Sequence, residues 1–342
     1  MISTYKWIGY YIGLNTYTWR SSKLVTTLRS IEHNARTGFA SLSPGGLRMD
    51  SFSMTLFRKG NKKFWNPDSI DFGTDAEQFA AMTDLEQRSV CVSAAQFMAG
   101  EESVTQDIQP FMQVMAAEGR LDDEAYLTQF AFEEAKHMQG FRLWFDAVGM
   151  HGDLHEYTEH SPAYGEIFKV IQPDAMYALL DDPSPAAQIR ASVVYNHIVE
   201  GTLALTGYYN WNKLFTSRNV FPGMQQLIKY ISDDERRHMA WGTFTCRRHV
   251  AADDANWNVV QQCVDELRQP AIDLLTAYVR RLEAEGQKSP FGSTSDELAD
   301  YANERLDRRL ASIEGARGRS LQEIDCDHSP IELEDQLMAK GG

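Results

Sequence analysis

Glu134-Ala-Lys-His137 and Glu235-Arg-Arg-His238 are two copies of Glu-x-x-His set far apart in the chain, each inside a long amphipathic segment. On a helix of 3.6 residues per turn, positions i and i+3 leave the same face, so each copy points one carboxylate and one imidazole in one direction. Two such helices facing each other bring two oxygens and two nitrogens to one point, as four-helix bundles with paired metal ions do when two further helices each add a glutamate. Two more inward glutamates are therefore required. Glu101 and Glu200 supply them.

Helical phase separates ligands from their neighbours, because a ligand must lie on the stripe that faces the bundle axis. Phe97, Glu101, Val104, Ile108 and Phe111 form one stripe, and Glu102, about 100° round the helix, falls on the solvent side. Leu127, Phe130, Glu134, His137, Phe141 and Val148 form the second, which leaves Glu133 off it. Val193, Glu200, Leu203 and Gly207 form the third; Ile228, Ile231, Glu235, His238 and Gly242 form the fourth. The order is Glu, Glu-x-x-His, Glu, Glu-x-x-His, with nearly equal intervals from 101 to 134 and from 200 to 235, as an up-down helical hairpin used twice would give.

Carboxylate oxygens with only two imidazoles suit manganese and iron, whereas a closed thiolate site would select zinc. The four cysteines, Cys91, Cys246, Cys263 and Cys326, show no C-x-x-C spacing and no secreted framework, so reduced thiols in the cytoplasm are expected. A net charge of −15 argues against a nucleic-acid surface. Arg236, Arg237, Arg247 and Arg248 read as the solvated or dimer-facing side of one helix. No apolar run is long enough for a transmembrane helix.

Three segments are expected. Residues 1–36, crowded with Trp7, Tyr10, Tyr11, Tyr17 and Trp19, read as a poorly ordered extension, with a signal peptide disfavoured by the short apolar run. Residues 37–288 form an all-α dimetal domain: a loop-rich lead-in to Gly73, a long helical region from about Asp75 to Glu118 bending at Gly100 and Pro110, and a helix capped by Asp122 or Asp123 and ending at Gly149. A shorter helix around 161–180 follows, then helices opened by Pro183-Ser184-Pro185 and by Phe221-Pro222-Gly223, and a last one over Asp254–Glu285. Residues 289–342 read as an irregular polar extension.

The ligand order, with Phe64-Trp65-Asn66-Pro67, Gly100-Glu101-Glu102-Ser103-Val104-Thr105, Asn196-His197-Ile198-Val199-Glu200-Gly201 and Asp233-Asp234-Glu235-Arg236-Arg237-His238, resembles the ligand-binding oxidases related to the ribonucleotide reductase small subunit, from about residue 37 to beyond 320. The resemblance implies a ferritin-like four-helix bundle with additional helices and a homodimer. It implies one manganese, on Glu101, Glu134 and His137, and one iron, on Glu200, Glu235 and His238. It also implies O2 as oxidant, a long-chain fatty acid or other lipophilic ligand beside the metals, and an ether bond between Val104 and Tyr195. By the same resemblance Asp234 is the candidate partner of His137, against the ordinary alternative of a surface carboxylate.

Other residues are weighed against core packing. His197, three before Glu200, reads as a buried, hydrogen-bonded histidine and not a ligand. Tyr208 and Tyr209 either line a pocket or pack the core; Met98, Met112, Met115 and Met138 either line an acyl tunnel or pack likewise. Two further classes compete with an oxidase. A tyrosyl-radical reductase subunit would carry a tyrosine four residues after His137, where Phe141 stands. A manganese/iron reductase subunit would need a docking tail, for which Ile331-Glu332-Leu333-Glu334 is the one weak candidate, and iron storage would need assembly into a shell.

Overall fold

The computed structural model describes residues 38–339 other than 45, 159 and 160, and no side chain of 338 or 339. The expected N-terminal extension, with its tryptophans and tyrosines, lies outside the described residues, which contain helices and no strand. Short helices α1 (Phe52–Lys62) and α2 (Gly73–Ala80) precede the bundle. The bundle is built from α3 (Asp84–Asp107), α5 (Leu121–Ala147), the continuous run α8 (Pro185–Ser192), π-helix (Val193–Ala204) and α9 (Leu205–Arg218), and α10 (Pro222–Ala252). Between these lie α4 (Gln109–Ala117), α6 (Pro162–Glu166), a π-turn (Ile167–Ile171) and α7 (Gln172–Tyr177). After the bundle come α11 (Asn256–Ala284), α12 (Ser295–Glu314), α13 (Leu321–Asp325) and α14 (Ser329–Ala339).

Local chemistry sets these boundaries. Thr83 closes a capping box with Glu86 at the start of α3, Ser184 accepts from Ala187 N to open α8, and Gly149 after α5 takes φ 83°, where a side chain would be strained. Four expectations are corrected. The lead-in contains α1. The long region to Glu118 is three helices, broken at residues 81–83 and at Ile108, while α3 passes straight through Gly100. Asp122 and Asp123 do not cap α5; they sit inside its first turn, Asp122 against Arg48 and Asp123 holding Ser53 and the Trp241 indole. Much of the chain from 295 to 339 is helical, because α12 and α14 carry apolar stripes: Leu298, Ala302, Leu306 and Ile313 of α12 are buried, as are Ile331 and Leu337 of α14.

Two apolar clusters fill the bundle, and every ligand-bearing helix crosses from one to the other. One holds Val104, Phe130, Tyr195, Ile198 and Trp241; the other holds Ala94, Phe141, Trp144, Tyr208 and Ile231. Along α3 and α10 the second cluster comes first, and along α5 and the continuous run from α8 to α9 it comes last. That is the up-down sense of two hairpins, and the polar layer lies between the two apolar clusters.

Candidate metal centre

Two overlapping groups of buried side chains form at that layer: Glu101, Glu134, His137 and Glu235, and Glu134, Glu200, Glu235 and His238, each with its ligand atoms within 4.8 Å of one another. Glu134 and Glu235 belong to both. His137 Nδ1 faces Glu101 Oε2 at 3.4 Å, Glu134 Oε2 at 3.6 Å and Glu235 Oε1 at 3.5 Å. His238 Nδ1 faces Glu134 Oε1 at 2.9 Å, Glu200 Oε1 at 3.6 Å and Glu235 Oε2 at 3.5 Å. All six residues identified by phase are therefore brought together, and Glu102 is exposed as its phase requires.

The donor set fits a pair of cations. Both oxygens of Glu134, one each of Glu200 and Glu235, and Nδ1 of both histidines are buried with no hydrogen-bond partner. Atoms left so would be costly unless something else takes them. Burial pushes the carboxyls of Glu101 and Glu200 well above the usual range and raises that of Glu235, whereas the imidazoles, His238 foremost, outweigh burial at Glu134 and lower it. Burial would lower both imidazoles, but the carboxylates, Glu101 at His137 and Glu134 at His238, lift them well above their ordinary value. The three raised carboxyls, Glu101, Glu200 and Glu235, would exchange their protons for cations of higher charge.

The outward nitrogens of the histidines are held crosswise. His137 on α5 meets Asp234 of α10, Nε2 to Oδ2 at 3.3 Å, and His238 on α10 meets Glu133 of α5, Nε2 to Oε2 at 3.0 Å. Arg237, buried and not solvated as expected, joins the two carboxylates, 2.7 Å from Glu133 and 2.6 Å from Asp234. Arg247 is also buried, against Ser312 and Asp327, so only part of the basic run faces solvent. Glu133, placed off the stripe by phase, is 3% exposed. A signal for it existed: an acidic residue immediately precedes the glutamate in both Glu-x-x-His copies.

Asp234 carries further partners. Trp65 Nε1 donates to Oδ2 at 2.8 Å and Lys136 Nζ at 3.2 Å, and Trp65 stacks over His137 with centroids 6.1 Å apart. The His137 ring, then Arg237 and Lys136, overcome burial and hold the Asp234 carboxyl below the usual range. Phe130 covers His238 more closely, at 3.6 Å.

The π-helix sets the Glu200 side. Ser192 donates to the Gly242 carbonyl at 3.1 Å, and a side chain at Gly242 would overlap Asn196, so the glycine allows α10 to come this close. Asn196 Nδ2 donates to Glu200 Oε2 at 2.9 Å, and Thr202 donates to the His197 carbonyl five residues back at 2.7 Å. His197 is buried outside both groups, beside Arg309 and the Gly242 backbone, and burial followed by that guanidinium pushes it down to about 3. Arg309 itself donates to Gly201 O at 2.8 Å and pairs with Glu334 of α14 at 2.7 and 2.6 Å.

Tyr195 Oη donates to the Val104 carbonyl at 3.2 Å, both residues buried, and burial, then the Glu134 charge, pushes the phenol well above its ordinary value. Tyr208 Oη reaches Glu235 Oε1 at 3.4 Å, while Tyr209 pairs with Glu297 at 2.7 Å and stands apart. A cavity of about 270 Å³ opens on Glu101, Glu134, Glu200 and Glu235, with Val104, Phe168, Val199, Leu203, Leu274 and Leu275 in its wall. None of Met98, Met112, Met115 and Met138 lines it; Met115 is core.

The family described as ribonucleotide reductase, small chain, matches residues 50–316. The chain belongs to that family. Within it the chain sits with the ligand-binding oxidases. An R2-like ligand-binding oxidase from Sulfolobus acidocaldarius is 32% identical, with 85% of this chain and 99% of that chain covered at a TM-score of 0.76. An R2-like ligand-binding oxidase with an aerobically reconstituted Mn/Fe cofactor is 35% identical over 81% of this chain and 98% of that chain, TM-score 0.74. A valine-to-isoleucine variant carrying the same cofactor is also 35% identical over the same shares, TM-score 0.75.

Proposed function

We propose that this member of an oxidoreductase family is a manganese/iron oxidase that uses O2 for two-electron oxidation of a lipophilic substrate. In this reading it holds a long-chain fatty acid beside the metals. Glu101, Glu134 and His137 would hold manganese, Glu200, Glu235 and His238 iron, with Glu134 and Glu235 reaching both. Bound together, such ions supply a site where O2 is reduced and an unactivated C–H bond becomes oxidisable. One observation carries the reading: the carboxylates of both ligand groups open onto an apolar cavity.

The protein's own residues do the rest. Asp234 and Glu133 turn the imidazoles so that both Nδ1 atoms face inward. The two apolar clusters pack on either side of the site. Val104 stands one turn after Glu101 and offers an aliphatic C–H, and the buried Tyr195 keeps its proton until an oxidant removes it. Ether formation breaks one Val104 Cβ–H and one Tyr195 O–H bond and makes one C–O bond, and two protons and two electrons pass to O2.

The reductase-subunit reading loses its docking tail, because Ile331 and Glu334 are built into α14 and Glu334 is fully buried on Arg309. We further propose a cytoplasmic homodimer; the four cysteines are free, and no helix among the described residues is long and apolar enough to cross a membrane. Gel filtration tests it against storage, since a particle of many subunits would contradict an oxidase dimer.

Aerobic loading with equal manganese and iron is the direct test. One ion of each per chain is expected by element analysis, and peptide mapping should find the Val104 and Tyr195 peptides joined. Two irons, or separate peptides at full occupancy, would refute the mixed metal pair or the ether respectively. Val104→Ala should abolish the joined peptide and leave metal content nearly unchanged.

A further inference from the structure

Most polar side chains in the cavity wall have partners within the protein. Ser89 donates to Leu85 O at 2.8 Å and lies 2.7 Å from Tyr278 Oη, and Tyr164 donates to Gln96 O at 2.7 Å. Thr206 and Asn210 differ. They stand one turn apart on α9, so their side chains leave one face, and both line the cavity. Thr206 is 1% exposed and its hydroxyl has no partner; the side-chain oxygen of Asn210 is buried and also unpaired. A threonine inside a helix commonly donates to the carbonyl one turn back, as Thr105 does to Glu101 at 2.6 Å and Thr276 to Ile272 at 2.8 Å. Thr206 keeps its hydroxyl free beside Leu203, Ala204 and Gly207, on an otherwise apolar stretch of wall.

A buried polar atom without a partner costs about 1–3 kcal/mol, so two of them on residues that line one cavity point to an occupant that supplies the missing hydrogen bonds. We propose that the ligand is a long-chain acid bearing a hydroxyl part-way along its chain, received by Thr206 and Asn210. The inference rests on the fatty-acid reading above and adds the substrate class. A hydroxyl both donates and accepts, so it satisfies a threonine and either orientation of the asparagine amide at once. A plain hydrocarbon chain leaves both unpaired. Thr206 and Asn210 lie on the order of 10 Å along the helix from Glu200. That distance separates the hydroxyl from the oxidising centre, so the ligand brings it and does not acquire it there.

The metal-loaded full chain is incubated with equal amounts of hexadecanoic acid and of hexadecanoic acids hydroxylated at successive mid-chain carbons, and the retained lipids are extracted and quantified. A hydroxylated acid should be retained about fivefold over the plain one, the worth of one or two added hydrogen bonds. Thr206→Val with Asn210→Leu should bring the ratio to about one while plain acid is still retained, and Thr206→Ser should preserve the preference. Equal retention by the wild type, as expected if water fills the strip, overturns the proposal and leaves the fatty-acid reading standing. Enrichment that survives the double substitution also overturns it. Retention of neither lipid at full metal content would sink both readings.

Discussion

The two halves of the metal layer are built from the same sequence pattern and supported by different means. The first half, Glu101 with Glu134 and His137, stands on two plain α-helices, and its histidine lies under Trp65 and against an Asp234 shared with Lys136 and Arg237. The second half, Glu200 with Glu235 and His238, draws its lone glutamate from a π-helix that Arg309 of α12 holds through Gly201. A π-turn places a side chain where an α-turn would not, and such turns concentrate at functional sites. Equal motifs thus acquire unequal surroundings, which is how one protein can offer two similar donor sets to two different metals, since affinity order alone would not separate them.

Breaking the shared elements should have the largest effect. Glu134→Ala removes a ligand from both groups, so element analysis should show both ions lost, whereas Glu101→Ala or Glu200→Ala should leave one. Chelating the metals from the intact protein should lower the thermal midpoint by about 6 °C, the worth of about 4 kcal/mol of bound-ion stabilisation. A midpoint unchanged by chelation would mean that the unpaired ligand atoms are satisfied without cations.

Arg309→Met should act on the second half alone. It leaves Glu334 buried without its partner and costs about 3 kcal/mol, read as a lower urea midpoint. The metal at the Glu200 group should then exchange faster than the one at the Glu101 group; equal acceleration at both would deny the asymmetry.

The crossed histidine supports predict a smaller and more pointed effect. Glu133→Gln, on the helix of the first half, should weaken metal at the group containing His238, and Asp234→Asn, on the helix of the second, should weaken the group containing His137, each by roughly 10- to 100-fold. If each substitution instead weakens the group on its own helix, the crossing has no energetic consequence.

The smallest effect is one of pH. Asp107, at the end of α3, has its carboxyl raised to about 6 by burial against the lowering bonds from Gln172 and Ser103. Between about pH 4 and 6 the native protein therefore binds the proton that the unfolded chain has already released, and stability contributed by that proton is lost as pH rises through 6. Asp107→Asn should remove about 1 kcal/mol of the stability lost between pH 5 and 7, measured as thermal midpoints at the two values; an unaltered slope would place the titration elsewhere.

The bundle and its ligands were legible because helical phase is a one-dimensional property. Glu101, Glu134, His137, Glu200, Glu235 and His238 lie on apolar stripes with a fixed period, and Glu102 lies off one. Phase misjudged Glu133 and Arg237, which lie off the ligand stripe yet are buried because a neighbouring helix covers that side too. The C-terminal helices were missed since α12 is rich in charge and α14 is short, and a thin stripe such as Leu298, Ala302, Leu306 and Ile313 looks solvated until its partner is known.

By itself the sequence determined an all-α bundle, the six side chains that meet at the polar layer and the type of their donor atoms, because each follows from residue chemistry and the period of a single helix. Only the tertiary structure decided that Glu134 and Glu235 are shared, that each histidine is held from the opposite helix, that residues 193–204 wind as a π-helix and that the cavity ends on four carboxylates. Those depend on how closely two helices approach, and that distance is set by pairs of residues far apart in the chain, such as Gly242 with Asn196, which no local pattern encodes.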